Sequence, residues 1–327
     1  MIDRRTFCAA TASALAYGCQ SAGGPLELRL GSVNSPDSLV GITATEFARR
    51  ANEALMGKAK VLVFGSSQLG DDRTMLLKLK LGTIDFVLNS TIMSSEIDAF
   101  GYFEMPYLLK DRQHVRRVSE AVFWPSIAPL AASRQLGVIG LFENGFRQIT
   151  NNARPIVTPS DLAGIKLRTP LGRWRLRLFQ SYGASPTPMS MAEVFIALRT
   201  GVIDGQENPL VQIWSQKFQE VQRYLSLSNH VYSPAYLTVG RDRWASLPSE
   251  ITGKLEEIAR DMQGWVLDQG EVMDVELLDE LRATGIAINE IDRQAFIDAS
   301  QQIYKEFSEE VPGGKEWIER ALQLADS

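Results

Sequence analysis

Apolar and polar positions repeat with two different periods along this chain. Residues 26–33, "LELRLGSV", alternate with period two, and "KAKVLVFG" and "TIDFVL" are further short apolar runs, which is typical of strands. Residues 35–55 predict a loop and then a helix, and residues 71–82 predict a second helix with Asp71 near its start and Gly82 at its end. Strands that alternate with helices indicate parallel α/β organisation.

Part of this pattern recurs later in the chain. "LKLGTID" at residues 79–85 and "LRTGVID" at residues 198–204 share the order Leu-x-x-Gly-x-Ile-Asp, and each follows an amphipathic helix. A capping box, Ser190 to Glu193, is predicted to start the second of these helices. The repeat predicts two α/β lobes of similar construction.

The second copy leads into an unusually polar segment. We expect a strand to start at Val202 and to be stopped by the polar residues 204–208. Asn208 followed by Pro209 is typical of a helix N-cap with proline at the first helical position. Because a helix start also attracts anions, this stop is a candidate wall of a binding site.

Two segments are predicted to cross between the lobes, near Gly145 and near Pro234. Residues 248–285 predict one long helix, and about 35 residues at about 1.5 Å each would span roughly 50 Å. Such a helix is longer than a small lobe and is expected to brace both. The predicted domains are residues 26–145 with about 235–270 for the first lobe, and residues 146–234 with about 271–327 for the second.

Composition narrows the class of protein. The chain has 327 residues, of which 45% are hydrophobic and 22% charged, so two ordinary globular domains fit its length. A net charge of −5 argues against nucleic acid as a partner and against a basic surface for anionic lipid. The sequence contains no continuous apolar run of about 18 residues, so no membrane-spanning helix is expected.

The N-terminal segment predicts export. Residues 1–19, "MIDRRTFCAATASALAYGC", join the adjacent arginines Arg4 and Arg5 to an alanine-rich stretch. This order resembles a twin-arginine signal. Residues 20–25 would then form a short flexible tether.

The cysteines leave a choice open. Cys8 and Cys19 are the two cysteines of the chain, so the mature protein is expected to lack a disulfide. Cys19 follows Gly18 and is either a lipid-modified first residue of the mature chain or an unmodified residue of a soluble one.

The usual residues of catalysis are sparse. The two histidines, His114 and His230, are far apart in sequence and lack the spacing of metal ligands. The sequence contains no Gly-x-Ser-x-Gly, His-Glu-x-x-His or Gly-rich phosphate loop. We therefore expect no catalytic residue, no metal and no cofactor, and a binding role rather than an enzymatic one.

Two arginines are candidates for binding an anion. Arg168 lies in "DLAGIKLRTP", where Gly164 allows a turn, a strand follows, and Pro170 ends it. The C-terminal ends of parallel strands are where open α/β sheets bind ligands, and a guanidinium fits a carboxylate at two points. A surface ion pair is the alternative for Arg168. Arg147, at the predicted crossing, either faces the cleft or is a solvated hinge residue.

Other candidates have simpler interpretations. Arg173, Arg175 and Arg177 alternate in "LGRWRLRLF", for which we favour a solvated helix face over an anion site. Met191 is a candidate for lining a pocket, although core packing is the ordinary role of such a residue.

Several motifs together resemble a known family. They are "SSQLGDDRTMLLKLKLGTIDF", "EMPYLL", "GFRQITN", "DLAGIKLRTP" and "GASPTPMSMAEVFIALRTGVIDGQENP", followed by the long late helix. From about Leu26 to the C-terminus the chain resembles the solute receptors of tripartite ATP-independent periplasmic (TRAP) transporters, of the dicarboxylate-receptor type. The resemblance implies an α/β, two-lobed periplasmic binding protein of type II-like form, with β-strand hinges and a long helix spanning both lobes.

The resemblance also implies a set of ligand contacts. The arginine of the "K-x-R-x-P" strand, here Arg168, would pair with a ligand carboxylate. The arginine of "G-x-R" and the asparagine of "Q-E-N-P", here Arg147 and Asn208, would assist. Met191 stands where relatives often have an aromatic residue that stacks on the ligand. Asn34 and Asn89 lie in loops that supply polar contacts in relatives.

These implications define an expected function. The protein would be a monomeric periplasmic receptor that binds a small organic acid, either a sugar acid or a C4-dicarboxylate, and delivers it to a membrane permease. We favour a hydroxylated monocarboxylate, because no lysine is clearly placed for a second carboxylate. The alternatives are an enzyme on the same scaffold and a sensor component that presents its ligand to a signalling protein.

Overall fold

The computed structural model describes residues 24–325, so the predicted export signal, Cys19 and most of the tether lie outside the described residues. Ten strands are present in the described part of the chain. They are β1 (Leu26–Gly31), β2 (Ala59–Phe64), β3 (Phe86–Asn89), β4 (Leu136–Asn151), β5 (Lys166–Thr169), β6 (Ser185–Pro188), β7 (Gly205–Pro209), β8 (Tyr224–Leu227), β9 (Tyr232–Gly240) and β10 (Ala287–Glu290).

Helices cover these strands and connect most of them. The α-helices are α1 (Leu39–Ala54), α2 (Asp72–Lys80), α3 (Ile92–Glu96), α4 (Arg112–Val118), α5 (Arg173–Ser181), α6 (Met191–Arg199), α7 (Leu210–Ser215), α8 (Arg241–Ser246), α9 (Ser249–Ala283), α10 (Arg293–Ala299), α11 (Gln301–Glu310) and α12 (Gly314–Leu324). Short 3-10 turns occupy Asp98–Glu104, Ala128–Arg134, Pro159–Leu162 and Phe218–Glu220, and a π-helical segment occupies Ser119–Ile127.

The strands form two sheets that share β4. The order is β2-β1-β3-β9-β4-β7-β5-β6, with β8 beside β4 and β10 beside β8. We call the part built on β1, β2, β3 and β9 the first lobe, and the part built on β5 to β8 and β10 the second lobe. Within each lobe the strands joined through helices run parallel, whereas β9 is antiparallel to β3 and β4. The predicted two-lobed α/β class is confirmed.

Strand β4 carries the chain from one lobe to the other. Its residues 136–146 pair with β9, and its residues 147–151 pair with β7. The register shifts between Glu143 and Gly145. Gly145 has φ +126°, in the region that favours glycine. The structure thus has a strand crossing where the sequence predicts one.

The second connection precedes β9. The backbone N–H of Arg147 donates to the Val231 carbonyl at 2.9 Å, which ties this segment to β4. Pro234 lies inside β9, opposite Glu143. The strand is therefore not broken at Pro234, and the chain leaves the second lobe before β9 begins.

Helix α9 runs along both lobes. Its first half buries Leu255, Met262 and Val266 in a core shared with α1 and the first sheet. Near its end, Leu281 packs in a separate core of the second lobe. The predicted 35-residue brace is confirmed by this helix of 35 residues.

The last helix does not follow the predicted domain boundaries. His114 Nε2 lies 2.9 Å from the Ala321 carbonyl oxygen, and Arg117 Nε donates to the Leu324 carbonyl at 2.9 Å. These contacts hold α12 against α4 of the first lobe, although the boundaries assign residues 271–327 to the second. The rest of the predicted division stays a prediction.

The polar segment after Val202 forms a strand, whereas the sequence predicts that it stops one. Residues 205–209 form β7 themselves, and all five are buried. Asn208 lies in this strand, and α7 begins without a side-chain cap, so the predicted N-cap is wrong. A strand with these side chains is stable only if each buried polar group has a partner.

Two helix starts follow the sequence prediction. The Asp71 carboxylate accepts from the Thr74 N–H at 2.8 Å at the start of α2. The capping box of Ser190 and Glu193 is present at the start of α6. The two repeated helices therefore begin as predicted, and both begin at the same cleft.

Candidate ligand-binding site

A pocket lies between the lobes, at the loops that follow the parallel strands. The space inside it that is wide enough for a water-sized group is about 50 Å³, so the cleft between the two lobes is narrow. The lining residues come from both lobes and are Val33, Asn34, Asp71, Asp72, Arg73, Ser90, Thr91, Ile92, Asn144, Arg147, Arg168, Pro170, Leu171, Met189, Ser190, Met191 and Asn208.

Arg168 lies at the end of β5 and is 3% exposed. Its Nε and Nη2 donate to the Met189 carbonyl at 3.1 and 2.8 Å. Its Nη1 is buried without a hydrogen-bond partner among residues 24–325. Burial and the nearby charge of Arg147 lower the pKa of Arg168 to about 10, which leaves it cationic at neutral pH. Arg168 is therefore a desolvated cation with one unpaired hydrogen-bond donor, Nη1.

Arg147 lies close by but is already paired. Its Nη2 donates to the Glu207 carboxylate at 3.0 Å and to Asn208 Oδ1 at 3.1 Å. Its Nη1 donates to the Ser233 hydroxyl at 3.3 Å. The main partner of Arg147 is thus the internal carboxylate of Glu207.

Glu207 is the centre of a buried network that sequence reasoning missed. Arg147, Arg175 and His230 all donate to its carboxylate. Burial alone would raise the pKa of Glu207, but these three neighbours together hold it well below its usual range. The signal was present in the sequence, because Glu207 is the central residue of "QEN" in the polar segment. Its partners explain how a polar strand is buried.

Arg175 corrects the prediction made for the three alternating arginines. It is fully buried, since α5 turns it toward Glu207, so a solvated face is wrong for this residue. Arg173 and Arg177 do lie nearer the surface, where both pair with Glu310. The helix therefore has one buried arginine between two partly exposed ones.

Asn208 and Asn34 line the pocket from opposite lobes. Asn208 donates to Gln206 and accepts from Arg147, so its amide is held on both sides. Asn34 donates to Ser32 at 3.2 Å and accepts from Gln212 Nε2 at 2.8 Å. Because Gln212 belongs to α7, this last bond joins the two lobes beside the pocket.

Met191 and Asn89 have different positions relative to the pocket. Met191 is the first residue of α6 and contributes to the wall. Asn89 is buried and donates to Thr238 Oγ1 at 3.2 Å. It is not among the lining residues, because β9 holds its amide, and the next two residues, Ser90 and Thr91, line the pocket instead.

An acidic wall completes the pocket and was not predicted as part of the site. Asp71 and Asp72 stand at the start of α2, on the first-lobe side. Burial raises the pKa of Asp72 to about 6, the charge of Arg168 opposes this rise, and Asp71 adds to it. In the sequence, Asp71 served only as a helix start signal, and Asp72 was not singled out. The pocket therefore combines a cation on one lobe with carboxylates on the other.

A cleft of this kind between two α/β lobes that share crossing strands and a long helix is the architecture of a solute receptor. Residues 30–310 match the bacterial extracellular solute-binding proteins of family 7, and the chain belongs to this family. The receptor class predicted from the motifs is thereby confirmed.

Individual relatives are similar over most of their length. The 2,3-diketo-L-gulonate-binding periplasmic protein of Escherichia coli K12 is 30% identical over 294 residues, which cover 89% of this chain and 90% of the relative. The sialic acid-binding periplasmic protein of Vibrio cholerae is 31% identical over 292 residues, covering 87% and 89%. A TRAP periplasmic solute-binding protein of Polaromonas sp. JS666, solved with D-erythronate, superposes with a TM-score of 0.85 at 31% identity, covering 90% of this chain and 98% of the other.

The family places the protein in transport rather than catalysis. TRAP solute-binding proteins are periplasmic and work with membrane permease subunits. Among residues 24–325, no helix combines the length and the apolar content needed to cross a bilayer.

Proposed function

We propose that this protein binds a hydroxylated monocarboxylic acid of the sugar-acid type in the interlobe pocket. The observation that carries the proposal is Arg168, a buried cation with an unpartnered Nη1 at the pocket wall. An isolated buried charge is costly unless it is paired, and a ligand carboxylate would supply the missing partner. The solutes named for the E. coli and Polaromonas proteins are both sugar acids, which supports this class.

The polar groups around Arg168 fit the remainder of such a ligand. The carboxylate would lie on Arg168, with the Asn208 amide beside it. Hydroxyl groups would reach Asp72 as a charged acceptor and Ser90 and Thr91 as hydroxyl partners, all of which line the pocket. Asp72 favours donors over acceptors on the first-lobe side, so a ligand hydroxyl suits this wall better than a second carboxylate.

A C4-dicarboxylate is the second candidate, and one observation favours it. Arg73 also lines the pocket and is a cation on the first-lobe side. It is exposed, however, so its charge is screened by solvent more than that of Arg168. We therefore rank the dicarboxylate second.

Titration calorimetry with D-erythronate, a six-carbon aldonic acid and succinate separates the two candidates. The proposal expects the hydroxylated acids to bind and succinate to bind weakly or not at all. Arg168→Ala serves as the matched protein that lacks the carboxylate partner. Tight binding of succinate alone would overturn the proposed ligand class and leave the dicarboxylate.

The remaining features of the proposal concern the whole protein in the cell. We infer a monomer that is exported through the signal at residues 1–19, with Cys19 either lipid-modified or unmodified. Mass spectrometry of the periplasmic and membrane fractions tests both export and lipid modification. A cleaved N-terminus indicates export, and a diacylglyceryl mass on Cys19 identifies an anchored form. An uncleaved chain retained in the cytosol would contradict the proposed export.

A further inference from the structure

Three parts of the chain meet at a partly buried ion cluster next to the strand crossing. Glu143 lies on β4 just before the crossing, Arg112 is the first residue of α4, and Asp274 lies on α9. Arg112 Nη2 donates to Glu143 Oε1 at 2.6 Å and to Asp274 Oδ2 at 2.5 Å, and Arg112 Nε donates to Glu143 Oε2 at 3.1 Å. We call these three residues the hinge cluster.

The hinge cluster is built into the fold. The Glu143 side chain is fully buried, that of Arg112 is 17% exposed and that of Asp274 is 23% exposed. Helix α9 has Gly270 next to Glu143, and a Cβ at that position would lie 2.5 Å from Glu143 Oε1. A glycine therefore makes room for the carboxylate against the long helix.

Electrostatics make Arg112 necessary to both carboxylates. Burial raises the pKa of Glu143 to about 7, and Arg112 opposes this rise. Burial also raises the pKa of Asp274, again against Arg112. Arg112 is the cation between these two carboxylates, so its removal would leave both without that partner, whereas removal of the Asp274 carboxylate would break the ion pair that links Arg112 to α9.

The position of the cluster connects it to the pocket. Glu143 directly precedes Asn144, which lines the pocket and accepts from Gln212 Nε2 at 3.1 Å. The same strand carries Arg147 into the second lobe. Fixing Glu143 to α4 and α9 thus fixes the strand from which Asn144 and Arg147 project.

We propose that the hinge cluster sets the relative position of the two lobes, and so tunes ligand affinity without touching the ligand. The effect on position is independent of which ligand binds, whereas the effect on affinity rests on the proposed function. Only the fraction of protein with both lobes in place around the pocket binds ligand, so a loosened hinge lowers the apparent affinity.

The chain supplies a matched control on the same two helices. Arg116 of α4 donates to Asp268 of α9 at 2.8 Å, and these side chains are 37% and 71% exposed. This pair joins α4 to α9 as the cluster does, but it does not involve β4. Asp268→Asn therefore tests whether any α4–α9 ion pair has the effect.

Electron–electron double resonance measures the lobe positions directly and without ligand. Spin labels on Met56→Cys and Val202→Cys report the distance between the lobes, since these residues are 81% and 60% exposed. Cys8 and Cys19 are replaced by serine in the full-length chain. Thermal unfolding first verifies that each variant is folded.

We expect Asp274→Asn to shift and broaden the interlobe distances relative to the parent protein. Asp274→Glu should restore them, because it keeps the carboxylate, and Asp268→Asn should leave them unchanged. Unchanged distances in Asp274→Asn, or an equal shift in Asp268→Asn, would overturn the proposal. If Asp274→Asn does not fold, Arg112→Lys provides the same test. Lysine keeps the positive charge but loses the planar guanidinium that donates to both carboxylates.

Calorimetry with D-erythronate adds the second readout. Asp274→Asn should weaken binding by about fivefold or more, the range of ordinary coupling between distant sites, while Asp268→Asn should bind as the parent does. Absence of D-erythronate binding to the parent protein would count against the proposed ligand class. The distance measurement would still decide whether the hinge cluster sets the lobe positions.

Discussion

At the scale of single residues, two neighbouring arginines have opposite electrostatic situations. Arg147 is paired inside the protein with Glu207, which it shares with Arg175, whereas Arg168 keeps one donor unpaired at the pocket. The local sequence does not show this difference, since one apolar residue, Phe146 or Leu167, directly precedes each arginine. The distinction depends on Glu207, which β7 brings beside Arg147 from 60 residues away. The local sequence therefore makes both arginines candidates, and the leading role of Arg168 was implied only by the family resemblance.

This division leads to a prediction for Arg168. Arg168→Ala should weaken binding of the cognate acid about 100-fold or more, because removing one partner of a buried ion pair costs about 3–5 kcal/mol. Arg168→Lys should rescue little, since an ammonium keeps the charge and loses the planar fork. Calorimetry on the folded variants measures both.

Two comparison variants should have smaller effects on binding than Arg168→Ala. Asn208→Ala should weaken binding about tenfold, because it removes a neutral donor worth about 1 kcal/mol together with a contact to Arg147. Arg173→Ala, outside the pocket, should bind normally. Wild-type affinity in Arg168→Ala would show that the carboxylate lies elsewhere.

Asp72 carries a prediction for pH. Its folded pKa of about 6 lies above the unfolded value near 3.9. The ionised carboxylate thus costs stability above pH 6, and this cost is relieved as pH falls from 6 toward 4. Asp72→Asn should raise the free energy of unfolding by about 1–2 kcal/mol at pH 7.5 and leave it unchanged at pH 4. Urea unfolding at the two pH values measures this difference.

An equal change at both pH values would mean that the Asp72 charge is not what costs stability. The same variant should bind a hydroxy acid more weakly, because an amide is a poorer acceptor than a carboxylate. Gain of stability with loss of affinity is the combination expected of a binding-site carboxylate.

At the scale of elements, β7 is a strand that its own residues do not predict. Its residues have the composition of a turn, and the apolar pair before it was expected to form the strand. In the structure these polar side chains are buried and paired with Arg147, Thr150 and Arg175, which come from β4 and α5. The helices α2 and α6, by contrast, start at local signals and were predicted. Elements defined by their own residues are predictable, and an element defined by distant partners is not.

Gly145 makes a prediction about the crossing strand. Its φ of +126° is unfavourable for other residues, and a Cβ would lie 2.9 Å from Pro209 Cβ. Gly145→Ala should lower the free energy of unfolding by about 1–3 kcal/mol. Chemical denaturation provides the measurement.

Gly253 in α9 is the control for Gly145. A Cβ there has no atom within 4 Å, so Gly253→Ala should be neutral or stabilising by about 0.5–1 kcal/mol. Equal effects of the two substitutions would mean that backbone conformation at the crossing imposes no special constraint.

At the scale of the whole molecule, the two lobes form one pocket and are joined by β4, the segment before β9, helix α9 and the segment that leads from β10 to α12. Lobes connected in this way are expected to close on their ligand by a hinge motion. Small-angle X-ray scattering should show a smaller radius of gyration with a saturating bound acid than without it. An identical radius in the two states would indicate a rigid site.

The motifs predicted the architecture better than the site. The repeat, the crossing at Gly145 and the long helix come from patterns within single segments, and the structure has all three. The placement of α12 against the first lobe and the turning of Asn89 toward β9 depend on contacts between segments more than 100 residues apart. No periodicity in the sequence records such contacts.

The place of β9 has a consequence for how this chain is made. Strand β9 pairs with β3 on one side and with β4 on the other, so the first sheet lacks the strand that joins β3 to β4 until residue 240 has been synthesised. Before then, β3 and β4 each present an unpaired edge, which invites association with other chains. A fragment that stops near residue 150 is therefore expected to aggregate rather than fold, and neither lobe can be produced from one continuous piece of the gene.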